Sequence, residues 1–308
     1  MKNILLACLM FSWGCFGQAS AVENFKITIL STMLSDTHIG EWGFSALIEV
    51  GGEKILFDTG SREQTVIQNA AELDIRLGAI ENVFLSHNHK DHTGGLLHLK
   101  RKFPKSFAKA HVGEGIFYSR PKKHGRDHYL LENKEKLMAQ GITFIEHESA
   151  SQIIPKVWTT GRVPRVHDEK NWSKLGKLID DKGIQKEDTI PEDQSLFFDT
   201  DKGIVLVSGC GHAGLVNTLE QVSKILPGRP IHKIIGGFHL FRLNNEKLEW
   251  TARKMMELGV EFFVGAHCTG INSTYAIRDF MKSTKDKVLV ASVGTTITKE
   301  GVKVGVMQ

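Results

Sequence analysis

The chain has 308 residues, 41% of them hydrophobic, and a net charge of +4. This is enough apolar material for one large core, alone or with an insertion. The mild charge, with no basic stripe interleaved with aromatic residues, excludes nucleic acid as an implied partner. The N-terminus opens on Lys2, continues through an apolar run from Ile4 to Phe16, and reaches Ala19-Ser20-Ala21, a small-x-small pattern. It reads as a signal peptide, residues 1–21, cut after Ala21. The apolar run is too short for a membrane span, so no stable membrane insertion is expected after cleavage. A lipid anchor on Cys15 is the weaker alternative, because Ser12-Trp13-Gly14 before it matches the usual Leu-led box poorly. The mature domain, 22–308, is then periplasmic or secreted. It keeps Cys210 and Cys268, each within two residues of a candidate ligand histidine. They are expected as packed thiols near a metal rather than as a structural bridge.

Phe25–Leu30 has a strand pattern. Phe44–Val50 and Lys54–Phe57 follow as strands joined by Gly51-Gly52, a hairpin signal. Arg62–Leu73 is amphipathic and reads as a helix. The apolar run Val83-Phe84-Leu85 reads as a buried strand. It delivers Ser86-His87-Asn88-His89-Lys90-Asp91-His92-Thr93-Gly94-Gly95, which holds four potential metal ligands in six residues. Leu96, Leu97 and Leu99 then open a helix, so the ligands sit on a strand-to-helix turn. His87 and His89 are two apart and face the same way in extended chain. Imidazole and carboxylate donors suit zinc, and also iron or manganese.

Lys105–Val112 is predicted as a strand. Residues 113–190 break the rhythm and are read as an insertion or cap over a cleft. They carry the basic run Arg120-Pro121-Lys122-Lys123-His124-Gly125-Arg126, a predicted helix at Tyr129–Ala139, strands at Ile142–Glu146 and Ile153–Thr159, and a polar loop at Asn171–Asp188. Basic charge there suits an anionic substrate.

Strand–helix alternation returns at Ser195. Strands at Leu196–Phe198 and Ile204–Val207 precede Ser208-Gly209-Cys210-Gly211-His212-Ala213-Gly214 and a helix at Leu215–Leu226. A strand at Ile231–Ile235 ends in Gly236-Gly237-Phe238-His239-Leu240, and a helix covers Glu246–Leu258. A strand at Glu261–Val264 ends in Gly265-Ala266-His267-Cys268-Thr269-Gly270, followed by a helix at Ile271–Met281 and the last strands within Lys287–Val306. Three times a strand ends in a Gly-flanked histidine. Ligands at neighbouring strand ends build one site at a sheet edge, so His212, His267 and His239 join the candidates. His98, His111, His124, His128, His147 and His232 are expected on the surface.

The cluster from His87 to His92 resembles the HxHxDH signature of the metallo-β-lactamase-fold hydrolases. Further motifs occur in order: Glu41-Trp42-Gly43-Phe44-Ser45, Thr160-Gly161-Arg162-Val163-Pro164-Arg165, Asp193-Gln194-Ser195-Leu196, Gly209-Cys210-Gly211-His212-Ala213-Gly214, Gly236-Gly237-Phe238-His239-Leu240 and His267-Cys268-Thr269-Gly270. Together they resemble the branch that includes the archaeal dihydropterin-methyl-ribofuranosylaminobenzene phosphate synthase. The resemblance implies an α/β fold, a four-layer αββα sandwich with the metal site at the sheet edges. It implies one or two divalent metal ions, with His87, His89 and His212 holding the first and Asp91, His92 and His267 the second. It implies that Asp58, in Asp58-Thr59-Gly60, supports the ligand loop. Many binuclear relatives place a bridging Asp between the third and last motifs. Between His212 and His267 this chain has no Asp, and Trp42 stands where relatives of this branch often have His.

The implied chemistry is metal-assisted hydrolysis of a small ester, lactone, amide or phosphoester. Asp91 is the candidate to orient water and move its proton, and His239 to stabilise developing negative charge. Arg165, Arg162 and the Lys122-Lys123 patch are candidate anion binders, Arg165 first by motif position. The competing readings are a bond-forming synthase, a mononuclear iron oxidoreductase and a non-catalytic binder that kept its metal.

Overall fold

The computed structural model describes residues 21–122, 125–169 and 176–305. The proposed signal peptide and Cys15 lie outside these residues, as do Lys123 and His124 of the basic run and 170–175.

The first half of the chain runs β1 (Phe25–Ser31), β2 (Ser45–Val50), β3 (Glu53–Phe57), α1 (Thr65–Glu72), β4 (Asn82–Phe84), α2 (Lys90–Thr93), α3 (Leu96–Lys102), β5 (Lys109–Gly113), α4 (Tyr129–Ala139) and β6 (Thr143–His147). The second half runs β7 (Ser149–Ile154), β8 (Val157–Gly161), β9 (Lys177–Ile179), β10 (Gln185–Glu187), β11 (Ser195–Thr200), β12 (Gly203–Ser208), α5 (Leu215–Ile225), β13 (Ile231–Gly236), α6 (Asn245–Glu257), β14 (Phe262–Gly265), α7 (Ile271–Phe280), β15 (Val288–Val290), β16 (Thr296–Thr298) and β17 (Val302–Lys303). Among the described residues these form an eight-stranded sheet, β17-β16-β1-β2-β3-β4-β5-β6, and a seven-stranded sheet, β15-β14-β13-β12-β11-β8-β7.

The layers follow from alternation along the strands, because successive side chains point to opposite faces. Ala46, Ile48, Val50, Ile55 and Phe57 of the first sheet meet Leu196, Phe198, Val205 and Val207 of the second, in the core between the sheets. Leu47 and Leu56 point the other way and pack with Val66, Leu99, Leu130 and Leu137 under the helices of the first half. Phe197, Ile204, Leu206 and Ile234 pack likewise with Leu219, Leu248 and Ile277 under α5, α6 and α7. Each large side chain so buried contributes about 1.5–3 kcal/mol. This is the expected αββα sandwich.

Two local expectations change. The single strand at Ile153–Thr159 is a hairpin, β7 and β8, broken at Pro155-Lys156, where Lys156 has φ +68°. The loop at Asn171–Asp188 contains the β9–β10 hairpin, because Asp180 accepts from Lys182 N and Ile184 N and so closes its turn. Of the stretch 113–190, β6 completes the edge of one sheet and β7 and β8 that of the other.

His111, His128 and His232 are buried rather than on the surface. His111 sits within β5, pairs with Asn82 Oδ1 at 3.0 Å and with His147 Nε2 at 3.0 Å, and His147 Nδ1 meets Ser151 Oγ of β7 at 2.7 Å. This chain of polar contacts ties the edge of one sheet to the edge of the other. Burial, with His147 and Lys109 nearby, lowers the His111 pKa from 6.5 to about 4. The folded protein therefore keeps His111 neutral where an unfolded chain would already take up a proton. Stability from this group is complete above pH 6.5 and is lost as the pH falls toward 4. Denaturant midpoints measured between pH 7 and pH 4 should fall, and His111→Gln should flatten that fall; an unchanged pH slope in the variant would remove His111 as its source.

Candidate metal centre

The site lies where parallel strands end. β3 and β4 run parallel, as do β12, β13 and β14. Their C-terminal ends therefore share one edge, and the residues just beyond them converge. Asp58 follows β3, His87 and His89 follow β4, His212 follows β12, His239 follows β13 and His267 follows β14. Asp91 and His92 sit on the short helix α2. Asp58, His239 and His267 all adopt left-handed backbone, with φ of +51°, +50° and +45°. Non-glycine residues held there cluster at functional sites, where the surrounding structure enforces them.

Six of the candidate ligands form two triads. His87, His89 and His212 offer one donor atom each, all within 4.8 Å of one another, and so do Asp91, His92 and His267. The rings pack edge to face: His87 to His89 at 4.5 Å between centroids, His87 to His212 at 4.7 Å, and His92 to His267 at 5.0 Å. Among the described residues, His87 Nε2, both ring nitrogens of His212 and both of His267 are buried without a hydrogen-bond partner. His267 Nε2 lies 3.2 Å from Asp91 Oδ2, an ion-pair contact. Buried polar atoms in native proteins normally find partners. Converging, unpartnered imidazole nitrogens beside a carboxylate fit a cation, and the donor set suits a divalent transition metal.

Asp58 orients the ligands. It is fully buried. Its Oδ2 accepts from His92 Nδ1 at 2.6 Å and from Ser86 Oγ at 2.7 Å, and its Oδ1 accepts from Ser86 N at 2.8 Å. Because Ser86 Oγ gives its proton to Asp58, it accepts from His87 Nδ1 at 2.9 Å. One carboxylate thereby orients two rings, with Nε2 of both His87 and His92 on the side away from it. Gly209 is required for this packing, since a Cβ there would meet Ser86 Oγ at 2.1 Å.

The electrostatics follow from burial and charge. Burial first, then neighbouring imidazoles, pushes His87 and His212 well below the ordinary histidine value. Burial lowers His89 to about 4, against the pull of Asp91. Burial also opposes charge on His92, but Asp58 and Asp91 outweigh it and raise His92 to about 9. Asp91 resists its own burial, because His92 and His267 hold it well below the usual carboxylate range. The cluster thus presents three neutral imidazoles on one side and a paired carboxylate on the other.

The remaining candidates sit around this core. His239 lies against His212, with ring centroids 4.5 Å apart. The exposed ring of Trp42 covers His267 at 4.9 Å. Arg165 donates from Nη1 to the His212 carbonyl at 2.6 Å and from Nη2 to the Thr189 carbonyl, so it braces the His212 loop. Asp193 braces the same loop by accepting from Ala213 N at 2.8 Å; burial raises it to about 6. Arg162 is largely exposed, 3.8 Å from Glu114. Arg120 of the basic run is turned inward, bonded to Asp188 at 2.9 Å and Glu192 at 2.7 Å, and Lys122 is exposed. Ser86 and Asp193 were not singled out from the sequence as site residues. Their signals were adjacency to His87 and the Asp193-Gln194-Ser195 motif.

Two variants test the support. Asp58→Asn should weaken metal binding about 10- to 100-fold in chelator competition, and Ser86→Ala should weaken it less. Unchanged affinity in a folded Asp58→Asn protein would show that ligand orientation does not depend on this carboxylate.

The sequence profile of the metallo-beta-lactamase superfamily matches residues 43–267, a span that includes all six triad residues. A 7,8-dihydropterin-6-methyl-4-(beta-D-ribofuranosyl)-aminobenzene-5'-phosphate synthase from Methanocaldococcus jannaschii is 29% identical over 265 residues, covering 82% of this chain and 90% of the relative. The crystal structure of a metal-dependent hydrolase of the beta-lactamase superfamily superposes with a TM-score of 0.73 at 24% identity, covering 88% of this chain and 98% of the other. A diphosphatase of the PhnP family superposes with a TM-score of 0.51 at 13% identity, covering 88% and 96%. The chain belongs to the metallo-beta-lactamase superfamily.

Proposed function

We propose that this protein is an exported metal-dependent hydrolase acting on a small anionic ester, lactone, amide or phosphoester. The observation that carries this reading is the convergence of five imidazoles and one carboxylate into two adjoining triads. Export rests on the basic, apolar and small-residue pattern of the first 21 residues. Among the described residues no helix is long and apolar enough to cross a membrane. His87, His89 and His212 would hold one cation, and Asp91, His92 and His267 a second. Zinc suits these donors best, with iron or manganese as alternatives. When bound, such cations lower the pKa of a water toward neutrality and polarise the substrate oxygen.

The chain's own residues do the rest. Asp91, ionised and paired with His267, orients the attacking water and accepts its proton. His239, beside His212 at the mouth of a cleft of about 420 Å³, donates to the anion that develops on the substrate. Arg242, Lys247 and Trp250 also line that cleft. Two acids, Asp168 and Glu169, line it as well, and Glu169 is already bonded to Val216 N and Asn217 N. A second cleft, of about 660 Å³, runs along Arg162 and Arg165 on the other side of the His212 loop. Cationic side chains beside the site support an anionic substrate.

A bond-forming reaction is the second reading, favoured by the activity of the M. jannaschii relative. A requirement for a second organic substrate would select it over hydrolysis. The tests use a panel of lactones, phosphodiesters, phosphomonoesters and β-lactams, with metal content measured by plasma mass spectrometry. His87→Ala and His89→Ala should lose metal and turnover together; turnover surviving without metal would overturn the reading. His239→Ala should keep its metal and lose about 10²–10³-fold in kcat, whereas loss of metal would make His239 a ligand.

A further inference from the structure

We propose that Cys210 is a metal ligand, its thiolate lying between the two triads. This rests on the metal-binding reading above. Cys210 stands two residues before His212 and is buried. Its sulfur lies 3.1 Å from His92 Nε2, the ring nitrogen opposite the one that Asp58 holds. Two donors on one tetrahedral zinc, a nitrogen at about 2.05 Å and a sulfur at about 2.3 Å, are separated by about 3.5 Å. The observed approach is therefore close to that of co-ligands. Cys210 also forms a single donor group with His87 and His92, all within 4.8 Å. His87 belongs to one triad and His92 to the other, which puts the sulfur at their junction.

Charge makes the same demand. The two triads contain five imidazoles, which carry no charge as metal ligands, and one carboxylate, Asp91. Two divalent cations held in adjoining triads would repel each other, and an anionic donor between them would relieve that repulsion. Asp58 is engaged by Ser86 and His92, and Asp193 by Ala213 N. Of the two buried sulfurs, Cys210 is the one grouped with a residue of each triad, His87 and His92. Cys268 completes the arrangement: its sulfur lies 3.3 Å from Cys210 Sγ, and Cys210, His239 and Cys268 form a further donor group within 4.8 Å. Ligation forms a sulfur–metal bond and releases the thiol proton to solvent. No oxidant is involved.

The test uses the protein loaded with Co(II) under reducing conditions. Thiolate ligation gives a sulfur-to-cobalt charge-transfer band in the near ultraviolet, separate from the visible bands that report bound cobalt. Wild type and Cys268→Ser should both show the near-ultraviolet band, and Cys210→Ser should lose it while keeping visible bands. The weaker cobalt site of Cys210→Ser should lose affinity by at least the roughly 10- to 100-fold that removal of an outer partner costs. Visible bands without the charge-transfer band in wild type would overturn this proposal and leave the imidazole centre standing. The same holds if the band survives Cys210→Ser and vanishes in Cys268→Ser. Absence of any cobalt spectrum would overturn the metal reading and this proposal together.

Discussion

The carboxylate of Asp58 is the constraint on which the site depends. It is fully buried, and it is tolerable there because Ser86 N, Ser86 Oγ and His92 Nδ1 all donate to it. A buried charge without such partners would be strongly unfavourable. With them it becomes an orienting device. It aims His92 directly and His87 through Ser86, and its oxygens tie the end of β3 to the turn after β4. The left-handed backbone at Asp58 belongs to the same requirement, since the chain must turn sharply at the strand end to bring the carboxylate inward.

The sandwich supplies what no single loop can. Each parallel strand delivers its last residues to the same edge, and the two sheets bring two such edges together. The first sheet contributes His87, His89, Asp91 and His92 from one connection. The second contributes His212, His239 and His267 from three. The close packing of Gly209 against Ser86 and Asp58 holds the two sets in register. Arg165 and Asp193 restrain the His212 loop from the opposite side, one on its carbonyl and one on the following amide. The ligand side chains are thus fixed before any cation arrives, which limits the reorganisation that binding would require.

Asp91 is the single carboxylate among the six triad residues, and the surroundings reflect this. Asp91 is drawn strongly toward its ionised form by the imidazoles around it. A pair of buried cysteines fills the space where a further anionic group would be useful. Trp42 covers His267 on the open side. Beyond the centre, clefts flank the His212 loop on both sides and both carry cationic side chains. The proteins this chain resembles include a metal-dependent hydrolase and a synthase alike.

The sequence by itself marked out the candidate ligands and, through the family resemblance, the sandwich. His87, His89, Asp91 and His92 declare themselves because metal chemistry needs several donors in a short span. The unbroken apolar runs Ala46-Leu47-Ile48 and Ile204-Val205-Leu206-Val207 state that these strands have two covered faces. Only the tertiary structure decided which polar groups are partners across the chain. The Asp58–His92 pair spans 34 positions, the Cys210–His92 contact 118, and the Arg165 brace on His212 47. The burial of His111 likewise follows from Asn82 and His147 on neighbouring strands. Local pattern encodes which face a residue occupies, because that follows from strand and helix geometry. It does not encode which distant group fills the space opposite, because that depends on how two sheets and their loops pack.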